Sequence, residues 1–228
     1  VLFNVKSRKK REFRLHLPLY DTITKIQIGF GKDSKFEYIK SKKRPIIFYG
    51  TSITQGGCAS RPGIAYTNII SRKLNYECIN LGFSGNGHLE NSIGKILSKI
   101  DARMYVIECM PNINTEIVKK NIRPLIKEIR KNSNKPSTPI IFFEECITNL
   151  GNLDQKFNNQ ARAKNLELKK QIDIAKNKGE KNIYIIKQEG CFNNDSDFTV
   201  DGVHFNDLGF YRYANHFIEN IKKLNLLD

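Results

Sequence analysis

The sequence lacks any long hydrophobic run. Its longest apolar stretches, such as Pro139 to Phe143, are far shorter than the roughly 18 to 20 residues that a membrane-spanning helix needs. We therefore expect no insertion into a membrane. The chain begins with Val1 rather than Met, so a removed signal peptide or upstream domain stays open, and the residues themselves assign no compartment.

Motifs typical of metal and nucleotide sites are also missing. The sequence has no Cys-x-x-Cys pair and no His-Glu-x-x-His, the spacings that indicate zinc. Gly82, Gly85 and Gly87 follow the order Gly-x-x-Gly-x-Gly, which is not the dinucleotide fingerprint Gly-x-Gly-x-x-Gly. We therefore expect no metal and no cofactor, and a nucleotide-binding protein is the least favoured hypothesis.

The five cysteines are an odd number, so they cannot all pair within the chain. Cys78, Cys109 and Cys146 lie in or at the end of apolar, strand-like runs, where we expect buried free thiols. A disulfide that involves Cys58 or Cys191 stays open.

Acidic residues are scarce. The 23 Asp and Glu stand against 38 Lys and Arg, which leaves a formal net charge of +15. Such an excess can attract nucleic acid, anionic lipid or acidic polysaccharide. The basic residues are scattered along the chain, however, and accompany no nucleic-acid-binding motif. We interpret the charge as a compositional bias and expect no nucleic-acid partner; the oligomeric state stays open.

The sequence does contain a regular alternation of element types. From Pro45 onward, short apolar runs alternate with longer helical patterns, which is typical of βαβ units and a parallel sheet in an α/β protein. Pro124 falls inside one helical pattern and should kink or split that helix. We predict strands over residues 46–49, 78–82, 104–109, 139–144 and 182–187, and helices near 65–74, 90–100, 114–131, 158–178 and 206–223.

The first part of the chain has a different pattern. Residues 12–20 and 23–30 alternate apolar and polar side chains at period two, which predicts two antiparallel strands. Two strands alone are only marginally stable. We therefore interpret residues 1–44 as the end of a larger β domain or as a flap on the main domain, and residues 45–228 as that main domain.

A candidate nucleophile follows the first predicted strand. Ser52 lies in Gly50-Thr51-Ser52-Ile53, at the carboxyl end of that strand, where α/β sheets form their ligand crevice. A serine after a strand is also a common helix N-cap, and that alternative stays open for Ser52 taken alone. Ser84 is the rival nucleophile, although Asn86 stands where the Gly-x-Ser-x-Gly elbow has its last glycine.

A candidate base precedes the last predicted helix, in Asp201-Gly202-Val203-His204. An Asp three residues before a His can accept the Nδ1 proton, which leaves Nε2 free to take a proton from a hydroxyl group. In the alternative interpretation, Asp201 caps a turn and His204 is a surface residue. Together with Ser52, the pair predicts a serine acyl hydrolase.

At these residues the sequence resembles the SGNH (GDSL-like) hydrolase superfamily, over residues 45 to about 215. Thr51 and Ile53 replace the Asp and Leu that the family usually has in its first block. The third block keeps Asn112 and lacks the usual Gly and second Asp. Four blocks in order carry the resemblance: Gly50 to Ile53, Asn80 to Asn86, Met110 to Ile113, and Asp201 to His204.

The resemblance implies a three-layer α/β/α sandwich of the flavodoxin-like type, with a mostly parallel five-stranded sheet. It implies a catalytic triad of Ser52, His204 and Asp201. It also implies an oxyanion hole made of the backbone N–H groups of Ser52 and Gly85 and the side-chain amide of Asn112.

A longer match extends the resemblance to a bacterial subgroup of these hydrolases. The segments Tyr49 to Gly63 and Leu15 to Tyr20 are similar to members that carry a β-sandwich before the hydrolase domain. This likeness implies a secreted or periplasmic protein. We add Thr54, Arg61 and His88 as candidate substrate-binding residues.

The functional hypothesis is therefore an esterase that removes short acyl groups, above all acetyl, from carbohydrate. Polar residues after the strands suit hydroxyl-rich ligands, and no strongly apolar helix offers a lipid-binding surface. One alternative is an esterase acting on lipid or phospholipid. The other is a catalytically silent carbohydrate-binding module on the same scaffold.

Overall fold

Five short apolar strands form one parallel sheet in the computed structural model, which describes residues 9–41, 43–131, 136–192 and 196–227. The strands lie in the order β2-β1-β3-β4-β5, and each neighbouring pair is parallel. The predicted strands are confirmed to within one residue at each end. Their bounds are β1 Ile46–Gly50, β2 Cys78–Gly82, β3 Met104–Glu108, β4 Ile140–Phe143 and β5 Ile183–Ile186.

Helices connect these strands, as the α/β pattern predicts. The two short helices α1 and α5 have no counterpart among the predicted helices. In the described ranges, no helix combines the length and the hydropathy needed to cross a membrane. The helices are α1 Ser52–Gln55, α2 Tyr66–Leu74, α3 Asn91–Leu97, α4 Thr115–Lys131, α5 Asn149–Leu153, α6 Gln155–Asn177 and α7 Asp207–Lys223, with 3₁₀ turns at Pro62–Ile64 and Met110–Asn112.

Each face of the sheet packs against its own helices. Along β1, Ile46 and Phe48 belong to the core cluster that includes α2 and α7, whereas Ile47 and Tyr49 belong to the cluster that includes α4 and α6. Alternate strand residues point to opposite faces, and a sheet covered on both faces needs apolar side chains at every position. The predicted three-layer α/β/α sandwich is confirmed.

Pro124 lies inside α4 without splitting it, since the helix runs from Thr115 to Lys131. A proline removes one backbone hydrogen bond from a helix interior. Apolar side chains around Pro124 pack into the core and hold both halves of α4 in place; they are Ile122, Leu125, Ile126 and Ile129.

The two antiparallel strands predicted over residues 12–20 and 23–30 are wrong, because residues 9–41 contain no strand. An alternating pattern becomes a strand only where another backbone supplies hydrogen bonds along its edge, and within the described residues neither segment has such a neighbour. Their apolar side chains, such as Phe13 and Ile28, are largely exposed. The domain boundary near residue 44 stays a prediction, and residues 1–8 lie outside the described part.

The cysteines are all free thiols, so no disulfide involves Cys58 or Cys191. Cys109 and Cys146 are buried, as predicted, whereas Cys78 is partly exposed at the start of β2. Cys78 nevertheless packs against the core, and desolvation raises the pKa of its thiol to about 12, so this thiol stays protonated at neutral pH.

Gly209 in the first turn of α7 allows a close approach to the loop that precedes the helix. A side chain there would overlap the Phe198 carbonyl and lie 2.9 Å from Phe205 Cβ. Alanine usually stabilises a helix relative to glycine by about 1 kcal/mol. We expect Gly209→Ala instead to destabilise the fold by about 1–3 kcal/mol, because it forces α7 and the loop apart.

Urea denaturation measures this effect. Glu219→Ala, on the exposed face of the same helix, is the control and should change the free energy of unfolding by less than about 0.5 kcal/mol. A Gly209→Ala variant as stable as the control would contradict the close approach.

Candidate active site

The turn between β1 and α1 presents Ser52. The side chain of Thr51 accepts the backbone N–H of Ile53 at 3.2 Å, so Thr51 is the N-cap of α1 and Ser52 is its first residue. The alternative in which Ser52 serves as the N-cap is therefore wrong. Within the described residues, the Ser52 N–H donates to no protein group, as expected for the first turn of a helix.

Three side chains from the two ends of the main domain meet at this turn. The Ser52 Oγ lies 2.9 Å from His204 Nε2. On the other side of the ring, His204 Nδ1 lies 2.6 Å from Asp201 Oδ2. This arrangement can take a proton from the Ser52 hydroxyl and stabilise the imidazolium that results.

The loop after β2 lies beside this group. Gly85 has a φ of 68°, a conformation that glycine adopts without strain. Its backbone N–H has no acceptor among the described residues. The Asn112 side chain donates to the Asn86 carbonyl, and since an amide carries two N–H donors, one is left for a ligand. The structure thus brings Asn112 next to the Gly85 loop.

Comparison with known proteins assigns the family. A model of the GDSL-like lipase/acylhydrolase family matches residues 43–222. The chain belongs to this family. No match was found among curated proteins.

Solved structures share the fold. A GDSL-like protein from Bacteroides ovatus ATCC 8483 is 37% identical, with a TM-score of 0.76 over 79% of this chain and 53% of that one. Salicylyl-acyltransferase SsfX3 from a tetracycline biosynthetic pathway is 16% identical, with a TM-score of 0.72 over 83% and 57%. A family two carbohydrate esterase from Clostridium thermocellum is 18% identical, with a TM-score of 0.59 over 84% and 67%.

These likenesses differ in what they show. The two with less than 20% identity show the fold alone. This GDSL-like chain spans about half the length of the first two structures, 53% and 57%.

The rival serine of this GDSL-like protein has no histidine partner in the part of the chain that the structure describes. The Ser84 backbone N–H donates to Gln55 Oε1 at 2.8 Å, but no hydrogen bond joins the Ser84 hydroxyl to a histidine in the described residues. His16 lies against Arg72, and the His216 ring contacts the Lys187 carbonyl.

The three predicted substrate-binding residues lie in different environments. Thr54 is fully buried and hydrogen-bonded to Glu108 and to Tyr66, so the prediction that it contacts substrate is wrong. Arg61 is exposed and pairs with Asp207. The partly exposed His88 lies near Glu90, with 3.9 Å between its Nδ1 and the carboxylate. For Arg61 and His88, substrate contact stays a prediction.

Sequence reasoning missed Gln55, which joins two segments of the site. Its Nε2 donates to the Leu19 carbonyl at 3.1 Å, and its Oε1 accepts the Ser84 N–H at 2.8 Å. The side chain therefore connects the segment before the main domain with the Gly85 loop. Motif spacing could not reveal this role, since the partners lie 36 and 29 residues away.

A second pair of missed residues supports the turn that carries Asn112. Lys164 of α6 is buried, forms an ion pair with Glu145 and donates to the Met110 carbonyl at 3.0 Å. Desolvation raises the pKa of Glu145, and the neighbouring Lys164 opposes that rise. Within the described ranges, no cluster of three His, Cys, Asp or Glu side chains could hold a metal ion.

Asp201 is held as a carboxylate. Desolvation is the largest single influence and acts to raise its pKa, but the hydrogen bonds from the backbone and ring of His204 and from the Val203 N–H together lower it to about 2. The two backbone bonds measure 2.7 and 3.0 Å. Asp201 therefore stays charged wherever His204 needs an acceptor.

The low pKa predicts a pH-dependent contribution to stability. The pKa of Asp201 in the folded protein is below its ordinary value of 3.8. The ionised carboxylate therefore stabilises the fold above pH 3.8, and this stabilisation disappears as the pH falls toward 2. We expect Asp201→Asn to lower the free energy of unfolding by less than about 1 kcal/mol at neutral pH, since this pair is partly exposed.

Urea denaturation of both proteins from about pH 5 down to pH 2 checks the sign. The difference in stability should shrink as the pH falls through this range. A difference that grows with acidity would show that the Asp201 carboxylate is not stabilised by folding.

Proposed function

We propose that this chain is a serine ester hydrolase. Ser52 attacks the ester carbonyl, His204 accepts the serine proton, and Asp201 holds the His204 ring in the required tautomer. The observation that carries the proposal is the unbroken hydrogen-bonded series from the Ser52 hydroxyl through His204 to Asp201.

The proposed reaction has two stages, acylation and deacylation of Ser52. The Ser52 oxygen forms a bond to the carbonyl carbon while its proton moves to His204 Nε2. Collapse of the tetrahedral intermediate breaks the bond to the alcohol, which leaves with that proton. Water, activated by the same imidazole, then releases the acid and restores Ser52.

Charge on the intermediate needs donors that already point to it. The N–H groups of Ser52 and Gly85, which have no acceptor among the described residues, and the second amide hydrogen of Asn112 supply them in this proposal. Removing one such donor typically costs about 3 kcal/mol of transition-state stabilisation. This oxyanion hole joins the ends of β1, β2 and β3 in one site.

Substitution of the serine and the base tests the mechanism. We expect Ser52→Ala and His204→Ala each to lower kcat on an activated ester by at least about a thousandfold, because triad members act as a unit. Ser84→Ala is the matched control and should keep most of the activity.

Fluorophosphonate labelling with peptide mapping identifies the reactive serine directly. Label on the peptide that contains Ser52 supports the proposal. Label on Ser84, or full kcat in Ser52→Ala, would refute the assignment of the nucleophile.

The acyl group in this proposal is short, and acetyl is the simplest case. A small cavity is lined by the chain neighbours of Ser52, Asn112 and His204, namely Ile53, Pro111 and Val203, though not by those three residues themselves. The lining also includes Glu144 and Glu145, and acidic residues suit a long alkyl chain poorly.

The alcohol in this proposal is a carbohydrate, and Tyr20 supports it. A Cβ on Gly57 would lie 2.9 Å from the Tyr20 hydroxyl and 3.6 Å from His204 Cδ2, so both face one small space. In this proposal the departing alcohol takes its proton from His204 Nε2, the ring atom bonded to Cδ2, and so lies near this space. Tyr20 is 55% exposed and offers both a ring face and a hydroxyl to a sugar.

Among the polar residues after the strands, Thr51 and Thr54 are fully buried and do not reach a ligand. Asn86 and Asn112 remain at the surface of the site as polar groups. Carbohydrate esterases of families two and three from Clostridium thermocellum have this fold, which makes a sugar ester a reasonable first substrate.

A substrate series tests both halves of the assignment. We expect kcat/KM to be highest for p-nitrophenyl acetate among esters from acetate to laurate, and acetate to be released from acetylated xylan or another acetylated glycan. Tyr20→Ala should raise KM for the glycan and leave hydrolysis of p-nitrophenyl acetate nearly unchanged.

Tyr38→Ala is the control, because Tyr38 is a strongly exposed tyrosine of the same segment. Highest activity on chains of about eight carbons or more, with no acetate released from any glycan, would favour a lipid esterase instead. Equal effects of the two tyrosine substitutions on the glycan would remove Tyr20 from the site.

A further inference from the structure

A buried carboxylate lies directly under the nucleophile turn. Glu108 is the last residue of β3, and only 2% of its surface is exposed. Its Oε2 accepts the Thr51 N–H at 3.2 Å, the Thr51 hydroxyl at 2.9 Å and the Thr54 hydroxyl at 2.7 Å. One oxygen thus holds both flanks of the turn that contains Ser52.

The directions of these hydrogen bonds follow from the number of protons. A threonine hydroxyl has one proton to donate, and both Thr51 and Thr54 direct theirs to Glu108. The Thr51 oxygen can still accept the N–H of Ile53 at 3.2 Å. The Thr54 oxygen lies 2.8 Å from the Tyr66 hydroxyl, which must then be the donor. Each hydroxyl proton in this network has an acceptor.

Burying this group is costly. Desolvation, the largest influence, raises the pKa of Glu108 and the hydrogen bonds from Thr54 and Thr51 lower it, which leaves a pKa of about 7. A buried carboxylate is tolerated where such donors offset the lost hydration. The reaction proposed for Ser52, His204 and Asp201 has no chemical step for Glu108, so its place in the site is otherwise unexplained.

We propose that Glu108 is a positioning residue that holds the turn from Thr51 to Thr54 so that the Ser52 hydroxyl points at His204. The inference rests on the proposed function of Ser52. Because Ser52 lies between two residues anchored to the same oxygen, its backbone cannot rotate without breaking one of those hydrogen bonds. The 2.9 Å separation of Ser52 Oγ and His204 Nε2 therefore depends on the carboxylate.

Moving the carboxylate between positions 51 and 108 tests whether Glu108 positions Ser52 or only stabilises the fold. Above the pKa of Glu108, where the group is a carboxylate, Glu108→Gln replaces a charged acceptor with a weaker neutral one. It should lower kcat and the rate of fluorophosphonate labelling at least about tenfold, with little change in KM. Thr51→Asp keeps an N-capping side chain but puts a second carboxylate against Glu108. Two buried like charges repel, so we expect a larger loss of both rates.

The double variant Thr51→Asp, Glu108→Gln again has one carboxylate, now at position 51. The amide introduced at position 108 can donate a hydrogen bond to it. We expect it to label at least about tenfold faster than Thr51→Asp alone. Glu180→Gln, which removes a carboxylate that pairs with Arg130 far along the chain, is the control and should label like the wild type. Thermal melts of all variants ensure that rates are measured on folded protein.

Labelling of wild-type Ser52 separates this inference from the proposed function. If wild-type Ser52 does not label, the proposed function fails. If it labels and Glu108→Gln labels at the same rate, or the double variant is no faster than Thr51→Asp, the positioning role of Glu108 is refuted. Should Glu108→Gln not fold, the comparison of Thr51→Asp with the double variant decides.

Discussion

Strand β1 forms backbone hydrogen bonds with β2 on one side and with β3 on the other. The candidate site depends on this pairing, because Ser52 follows the end of β1. In the register of the sheet, Gly50 pairs with Gly82 of β2 and with Glu108 of β3. The chain leaves β1, returns through α2 to β2 on one side, and then crosses to β3 on the other side. Such a reversal of strand order opens a crevice at the carboxyl ends of the strands, and Ser52 lies there.

The residues around Ser52 come from separate loops, each anchored by its own contacts. Gln55 connects the Gly85 loop to the segment that contains Leu19. Lys164 on α6 holds the Met110 turn, and the close packing at Gly209 sets the loop that carries His204. Because these supports are independent, the geometry of the site is shared between the sheet and three helices rather than held by one motif.

Residues 14–20 contact the main domain although they do not form the predicted β-strand. Arg14 donates to Ser71 at 3.3 Å, the Leu19 side chain packs against Gly56, and Tyr20 lies beside Gly57. These contacts reach α2 and the turn after α1, which follows Ser52 closely in the chain. In the proposed function, Tyr20 helps to select the alcohol.

Local patterns in the sequence determined much of this protein. Apolar runs and helical periodicity located all five strands, and the motifs at Ser52 and at Asp201 to His204 identified residues that do meet, although Ser52 and His204 are 152 positions apart. Tertiary structure alone decided that Thr54 is buried, that Gln55 bridges two loops and that Glu108 supports the turn. The reason is physical: periodicity reports which face of an element is apolar, whereas a hydrogen bond between distant residues depends on strand order and register.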